Sequence, residues 1–157
     1  MSITVDIPGH GTVEADHLVL DLNGTLATDG QVPDGVADRV RGLASAVQVH
    51  VLTADTFGTA TALERLGVRI VLLGPGDQIE AKAAAVRALG AGRTIAIGNG
   101  RNDEGMLREA ALGIAVIGRE GAAIPALLAA DLAVTSIEDG LGLLLVPRRL
   151  VASLRTG

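Results

Sequence analysis

Residues 17–27 read HLVLDLNGTLA. The aliphatic run Leu18–Leu22 is broken by one carboxylate, Asp21, and the turn Asn23-Gly24-Thr25 follows at once. A short apolar run bounded by turn residues predicts a buried strand. Asp21 would then stand at the strand's carboxyl end, and Gly24 would give the loop the freedom of positive φ. Working outward, the pattern recurs at Val47–Leu52, Val68–Leu73, Thr94–Ile97, Ile114–Ile117 and Leu132–Val134. Between these runs, Val36–Ala46, Thr59–Leu66, Ile79–Leu89, Asp103–Ala111 and Ala122–Ala129 carry apolar residues at helical spacing.

Strands that are apolar on both faces and alternate with helices predict a parallel sheet wound with helices on each side. Gly67, Gly90 and Gly113 fall where helix-ending glycines belong. The N-terminus differs: Ile3–Ile7, a Pro8-Gly9-His10-Gly11 turn and Thr12–Glu14 predict a β-hairpin. Pro147 fits the first turn of a last helix running to Leu154. One domain is expected, with a hairpin over about residues 1–16, a core over about 17–146 and a C-terminal helix over about 147–155.

Composition narrows the function. The 157 residues are 48% hydrophobic but only 1% aromatic, with Phe57 the sole ring. Base-stacking platforms need aromatic faces, and a net charge of -5 is unsuited to a phosphate backbone, so no nucleic-acid partner is expected. Cysteine is absent, which excludes disulfides and thiolate metal sites. No apolar run approaches the roughly 20 residues that span a bilayer. The N-terminus lacks the charged and apolar regions of a secretory signal. A soluble cytoplasmic protein with no membrane partner is the expectation. His10, His17 and His50 have no ligand spacing and read as structural.

In parallel sheets, ligands bind beyond the carboxyl ends of the strands. Three such ends are polar: Asp21 to Thr25, Thr53-Ala54-Asp55, and Gly98-Asn99-Gly100-Arg101-Asn102-Asp103. Asp21 alone could be a turn residue; beside Gly24 and Thr25 it could also be a nucleophile that forms an aspartyl-phosphate. Thr53 serves equally as a helix cap or as a cradle for phosphoryl oxygens. Lys82 is the only lysine among 13 basic residues. A compact ammonium in a chain otherwise built with arginine suggests a charge clamp rather than a solvated surface group. The Gly98–Asp103 loop fails as a dinucleotide fingerprint, because its third glycine is missing and it follows the fourth core strand. It works better as a magnesium loop, with Asp103 and Asp21 giving two carboxylates to a hard cation.

Taken together, these clusters resemble the haloacid dehalogenase (HAD) superfamily of phosphatases and phosphotransferases, from about Leu18 to about Leu145. Asp21-Leu22-Asn23-Gly24-Thr25, Thr53-Ala54-Asp55 and Gly98 to Asp103 look most like the phosphorylation domain of P-type ATPases. The chain thus resembles the soluble P-type ATPase-like hydrolases. The resemblance implies a doubly wound three-layer α/β/α sandwich, with a mainly parallel Rossmann-like sheet and no large cap domain. It implies Asp21 as nucleophile, Thr53 (with Gly24, Thr25 and Ala54) on the phosphoryl group and Lys82 for charge balance. Mg2+ would be held by the Asp21 carboxylate, the Asn23 backbone carbonyl and Asp103, with Asn99 beside them and Asn102 orienting the loop. A neighbouring subunit could close the capless site over a small phosphorylated substrate.

Two positions depart from the pattern. Asn23 stands where phosphatases of the superfamily carry a general acid and base, which implies phosphoryl capture with slow release. Asn99 replaces an acid and should loosen magnesium. Two rivals follow: a weak or inactive member kept as a phosphate-responsive binding or assembly module, and, further behind, a nucleotide binder.

Overall fold

The computed structural model describes residues 1–27, 31–54 and 63–157. Strand β1 (Ile3–Ile7) pairs antiparallel with β2 (Gly11–Ala15) as a hairpin, and β3 (His17–Asp21) opens the main sheet. Then come α1 (Asp34–Ala44), β4 (Gln48–Thr53), β5 (Arg69–Leu72), α2 (Gln78–Leu89), β6 (Thr94–Gly98), α3 (Glu104–Glu109), β7 (Leu112–Val116), α4 (Ile124–Ala129), β8 (Leu132–Val134), α5 (Ile137–Leu145) and α6 (Arg148–Leu154). The main sheet has six strands in the order β5-β4-β3-β6-β7-β8, and every pairing is parallel. The expected doubly wound architecture and the N-terminal hairpin are both present.

Side-chain alternation divides the core between the two faces of the sheet. Leu18 and Leu20 of β3 join α1, α5 and the hairpin in the larger cluster, while Val19 joins Val86 of α2 and Met106 and Leu107 of α3 on the other face. The hairpin turns Ile3, Val5, Ile7, Val13 and Ala15 inward, with α6 packed beside it. Fully burying one such Leu or Val contributes about 1.5–3 kcal/mol, so the sheet is held chiefly by aliphatic burial.

Chain order sets the position of the site. After β3 the chain moves outward through β4 to β5, then returns to the other side of β3 with β6 and continues to β8. The strand order therefore reverses between β3 and β6, and a crevice opens outside their carboxyl ends. Those ends carry Asp21 and the Gly98–Asp103 loop.

Three expectations need correction or limits. Gly113 does not end a helix. It lies inside β7, where a Cβ would come within 2.5 Å of the Leu107 carbonyl oxygen, so glycine lets α3 dock onto the strand. Helix α5 adds to the helices that the sequence pattern predicts, and it contains Gly140 and Gly142. Ser136 caps it by accepting the Asp139 amide, and Gly140 leaves room for Val134, whose Cγ2 would be 3.3 Å from an added Cβ. The helix expected over Thr59–Leu66 lies mostly outside the described residues; Glu64–Leu66 forms one 3-10 turn.

Candidate active site

Lys82 is the centre of the site. It lies in the second turn of α2, whose first turn is capped by the Asp77 carboxylate accepting the amides of Ile79 and Glu80. Its ammonium donates to Asp21 Oδ1 at 2.9 Å and to Asp103 Oδ1 at 2.8 Å, with Asn102 Oδ1 at 3.4 Å. Lys82 is 2% exposed, Asp21 7% and Asp103 0%. Two buried carboxylates thus share one buried cation.

The two carboxylates are held differently. Asp103 Oδ2 accepts the backbone amides of Asn99 and Gly100 at 2.9 and 3.0 Å, so both of its oxygens have strong donors. Gly98 makes this fold possible: a Cβ there would lie 2.5 Å from the Asp103 carboxylate. Asp21 Oδ2 has only the Thr25 hydroxyl, at 3.5 Å. The same hydroxyl lies 3.3 Å from Asn99 Oδ1. Gly24, at φ +78°, passes between these groups where any larger residue would clash with Asn99 Nδ2.

A cleft of about 520 Å³ opens over this floor, lined by Asp21, Asn23, Thr53, Ala54, Lys82, Asn99 and Asn102. Thr53 is buried and Asn23 is exposed. Gln78, Gly100, Arg101 and Glu120 also line it. The structure therefore gathers Asp21, Asn23, Gly24, Thr25, Thr53, Ala54, Lys82, Asn99, Asn102 and Asp103 at one end of the sheet. Asp103 lies beneath the cleft and not in its wall. Asp55, the last residue of the Thr53 cluster, falls outside the described residues.

Electrostatics follow from this packing. Burial raises the Asp21 carboxyl, and the charge of Asp103 raises it further; Lys82 pulls the other way, and the group ends at about 7. Burial alone would lower Lys82, but the charges of Asp21 and Asp103 outweigh it and raise the ammonium above its ordinary value. The excess negative charge would favour a cation or an electrophile beside Asp21.

Among the described residues, no three His, Cys, Asp or Glu side chains converge tightly enough to form a metal cage. The donors facing the cleft are nonetheless oxygens: the Asp21 carboxylate and the amides of Asn23, Asn99 and Asn102. Such a set fits a magnesium ion, which is usually held by one or two carboxylates and completes its shell with water and substrate phosphate.

Gln78, Arg101 and Glu120 were absent from the expected site. Arg101 and Gln78 sit within or beside motifs already recognised, so adjacency could have flagged them. Glu120 is on the turn after β7, and no motif pointed to it.

No family model matches the chain. The uncharacterized protein MJ0073 of Methanocaldococcus jannaschii is 52% identical over 63 residues, which is 40% of this chain and 68% of that protein. MJ0072 of the same organism is 46% identical over 39 residues, 25% of this chain and 89% of that protein. Magnesium- and phosphate-bound 3-deoxy-D-manno-octulosonate 8-phosphate phosphatase from Moraxella catarrhalis superposes with a TM-score of 0.65 at 18% identity, covering 88% of this chain and 90% of that one. The cobalt-bound phosphatase of the same type from Haemophilus influenzae gives 0.70 at 18% identity, covering 90% and 94%. A Legionella pneumophila protein assigned to HAD subfamily III A gives 0.65 at 21%, covering 88% and 86%. The fold is that of the HAD superfamily. By sequence, the chain belongs to the family of MJ0073.

Proposed function

We propose that this chain is a magnesium-dependent phosphohydrolase or phosphotransferase that works through an aspartyl-phosphate on Asp21. The observation that carries the reading is the buried trio of Asp21, Lys82 and Asp103 at the reversal point of the sheet, beside Thr53. Two carboxylates and one ammonium are costly to desolvate together, and the trio leaves a net negative charge at the mouth of the sheet. The phosphatases of similar fold, one with magnesium and phosphate bound, support the same chemistry.

In this mechanism, the Asp21 oxygen not held by Lys82 attacks the phosphorus of a small phosphorylated substrate. A phosphorus–oxygen bond forms as the bond to the leaving oxygen breaks. Lys82 and the Thr53 hydroxyl offset the charge that develops on the phosphoryl oxygens. Magnesium, when bound, would be held by the Asp21 carboxylate and the Asn23 backbone carbonyl and would supply positive charge against the substrate phosphate. Asp103 keeps Lys82 charged and fixes the 99–103 loop. Water then attacks the aspartyl-phosphate and releases inorganic phosphate. The Asn23 amide can neither protonate the leaving group nor deprotonate that water, so both proton transfers fall to solvent and turnover is slow.

Mass spectrometry of the intact protein after incubation with Mg2+ and acetyl phosphate tests this reading. A phosphoryl adduct is expected on the wild type and not on Asp21→Asn. The second reading, a phosphate-responsive binding module, draws on Asn23 and Asn99. It gains if neither adduct nor donor hydrolysis is found.

A further inference from the structure

Glu120 lies in the Gly118–Gly121 turn after β7, far in sequence from every motif of the site. The turn closes with the Gly121 amide donating to the Gly118 carbonyl at 2.9 Å. Two further hydrogen bonds tie it to the phosphoryl loop: Asn99 Nδ2 donates to the Gly121 carbonyl at 3.4 Å, and the Ala123 amide to the Asn99 carbonyl at 2.9 Å. Asn99 thus acts as a bracket between the 99–103 loop and the turn.

The bracket delivers a carboxylate to the cleft. A Cβ on Gly24 would meet Glu120 Oε2 at 2.5 Å and Asn99 Nδ2 at 2.7 Å, so the Glu120 carboxylate rests against the backbone that follows Asn23. Glu120 lines the same cleft as Asp21. It is exposed, and among the described residues it forms neither a hydrogen bond nor an ion pair.

The donor inventory shows what this carboxylate can supply. Asp103 is saturated by Lys82 and two amides, and Asn99 is neutral, so among the motif residues that line the cleft only Asp21 offers a charged oxygen. Divalent cations of this kind are commonly held by one or two carboxylates with water and phosphate. Resting on the phosphoryl-transfer reading above, we propose that Glu120 supplies the second carboxylate of the cation site, in place of the charge that Asn99 lacks. Its side chain reaches from a surface turn, so it can swing toward a cation beside Asp21 without repacking the core.

Binding of Mn2+, as a surrogate for Mg2+, can be followed by electron paramagnetic resonance with no turnover required. Glu120→Gln should weaken Mn2+ binding by about 10- to 100-fold, the range seen when groups supporting a metal site are removed. Melting of the metal-free protein should be unchanged, since the residue is exposed and unpaired. Asn99→Asp added to Glu120→Gln should restore much of the affinity, because it returns a carboxylate to the adjacent position. Wild-type affinity in Glu120→Gln overturns the proposal. So does a variant that keeps that affinity and loses one limb of its pH–rate profile, because Glu120 would then transfer protons. If wild-type protein binds no Mn2+ even with phosphate present, the phosphoryl-transfer reading fails first and this proposal falls with it.

Discussion

Two clefts of about 520 Å³ lie at opposite ends of the same sheet, and only one has the makings of a reaction. The cleft at the amino ends of the strands is lined by Asp16, His17, Gln48, Arg69 and neighbours. Nearby, Arg93 pairs with Asp16 and Glu14 in water, and His17 Nδ1 lies 3.1 Å from His50 Nε2. The cleft at the carboxyl ends holds two carboxylates and an ammonium out of water. Equal volumes therefore say little. What separates the ends is burial: at the carboxyl ends Asp21, Lys82 and Asp103 are held out of water, while the ion pairs at the amino ends are exposed.

The strongest way to break the comparison is to remove the cation. Lys82→Ala leaves Asp21 and Asp103 buried against each other. Loss of one partner from a buried ion pair costs about 3–5 kcal/mol, readable as a lower urea midpoint. No phosphoryl adduct should form. Arg69→Ala, in the opposite cleft, should leave both measurements unchanged.

Next in size is the effect proposed for Asn23. Asn23→Asp should speed hydrolysis of a phosphorylated donor, with an upper range of about 10²–10⁴-fold for a well-placed acid and base. The decay of the phosphoryl adduct is the sharper readout. Unchanged decay in a folded variant that still binds cation would remove Asn23 from the account of slow turnover.

The two ends should also respond to pH with opposite signs. Asp21 is raised from 3.8 to about 7, so the folded chain keeps a proton that the unfolded chain has released, and stability from this group falls as pH rises between those values. His50 is lowered from 6.5 to about 4, by burial first and then by the charges of His17 and Arg69. Its contribution is present above 6.5 and is lost as pH falls toward 4. Thermal melts across this window should show Asp21→Asn gaining most over wild type at alkaline pH. His50→Gln should flatten the acid side. The smallest effect belongs to Arg93→Ala, whose exposed pairs should leave the melting temperature within error, since such pairs contribute little.

The sequence disclosed these regions unequally, for physical reasons. The parallel strands were legible because burial on both faces demands uninterrupted aliphatic runs such as Leu18–Leu20 and Ile95–Ile97. The strand ends were legible because topology converges them, so Asp21, Thr53 and Asp103 needed no coordinates. Helix α5 was hidden because Gly140 serves a close approach to β8 that only the packed structure shows. Gly113 misled for the same reason: its lack of a side chain admits the end of α3. Glu120 carried no signal at all, since an exposed residue in a surface turn obeys no periodicity. The likeness to P-type ATPases still rests on motif wording alone.

The single lysine has a practical consequence. Apart from the α-amino group, Lys82 is the only amine in the sequence, and it is nearly sealed from solvent. Amine-directed chemistry on this protein is therefore a clock for one event, the opening of the buried floor of the cleft. The rate at which Lys82 acquires a label counts those openings, and a bound phosphate should slow the clock.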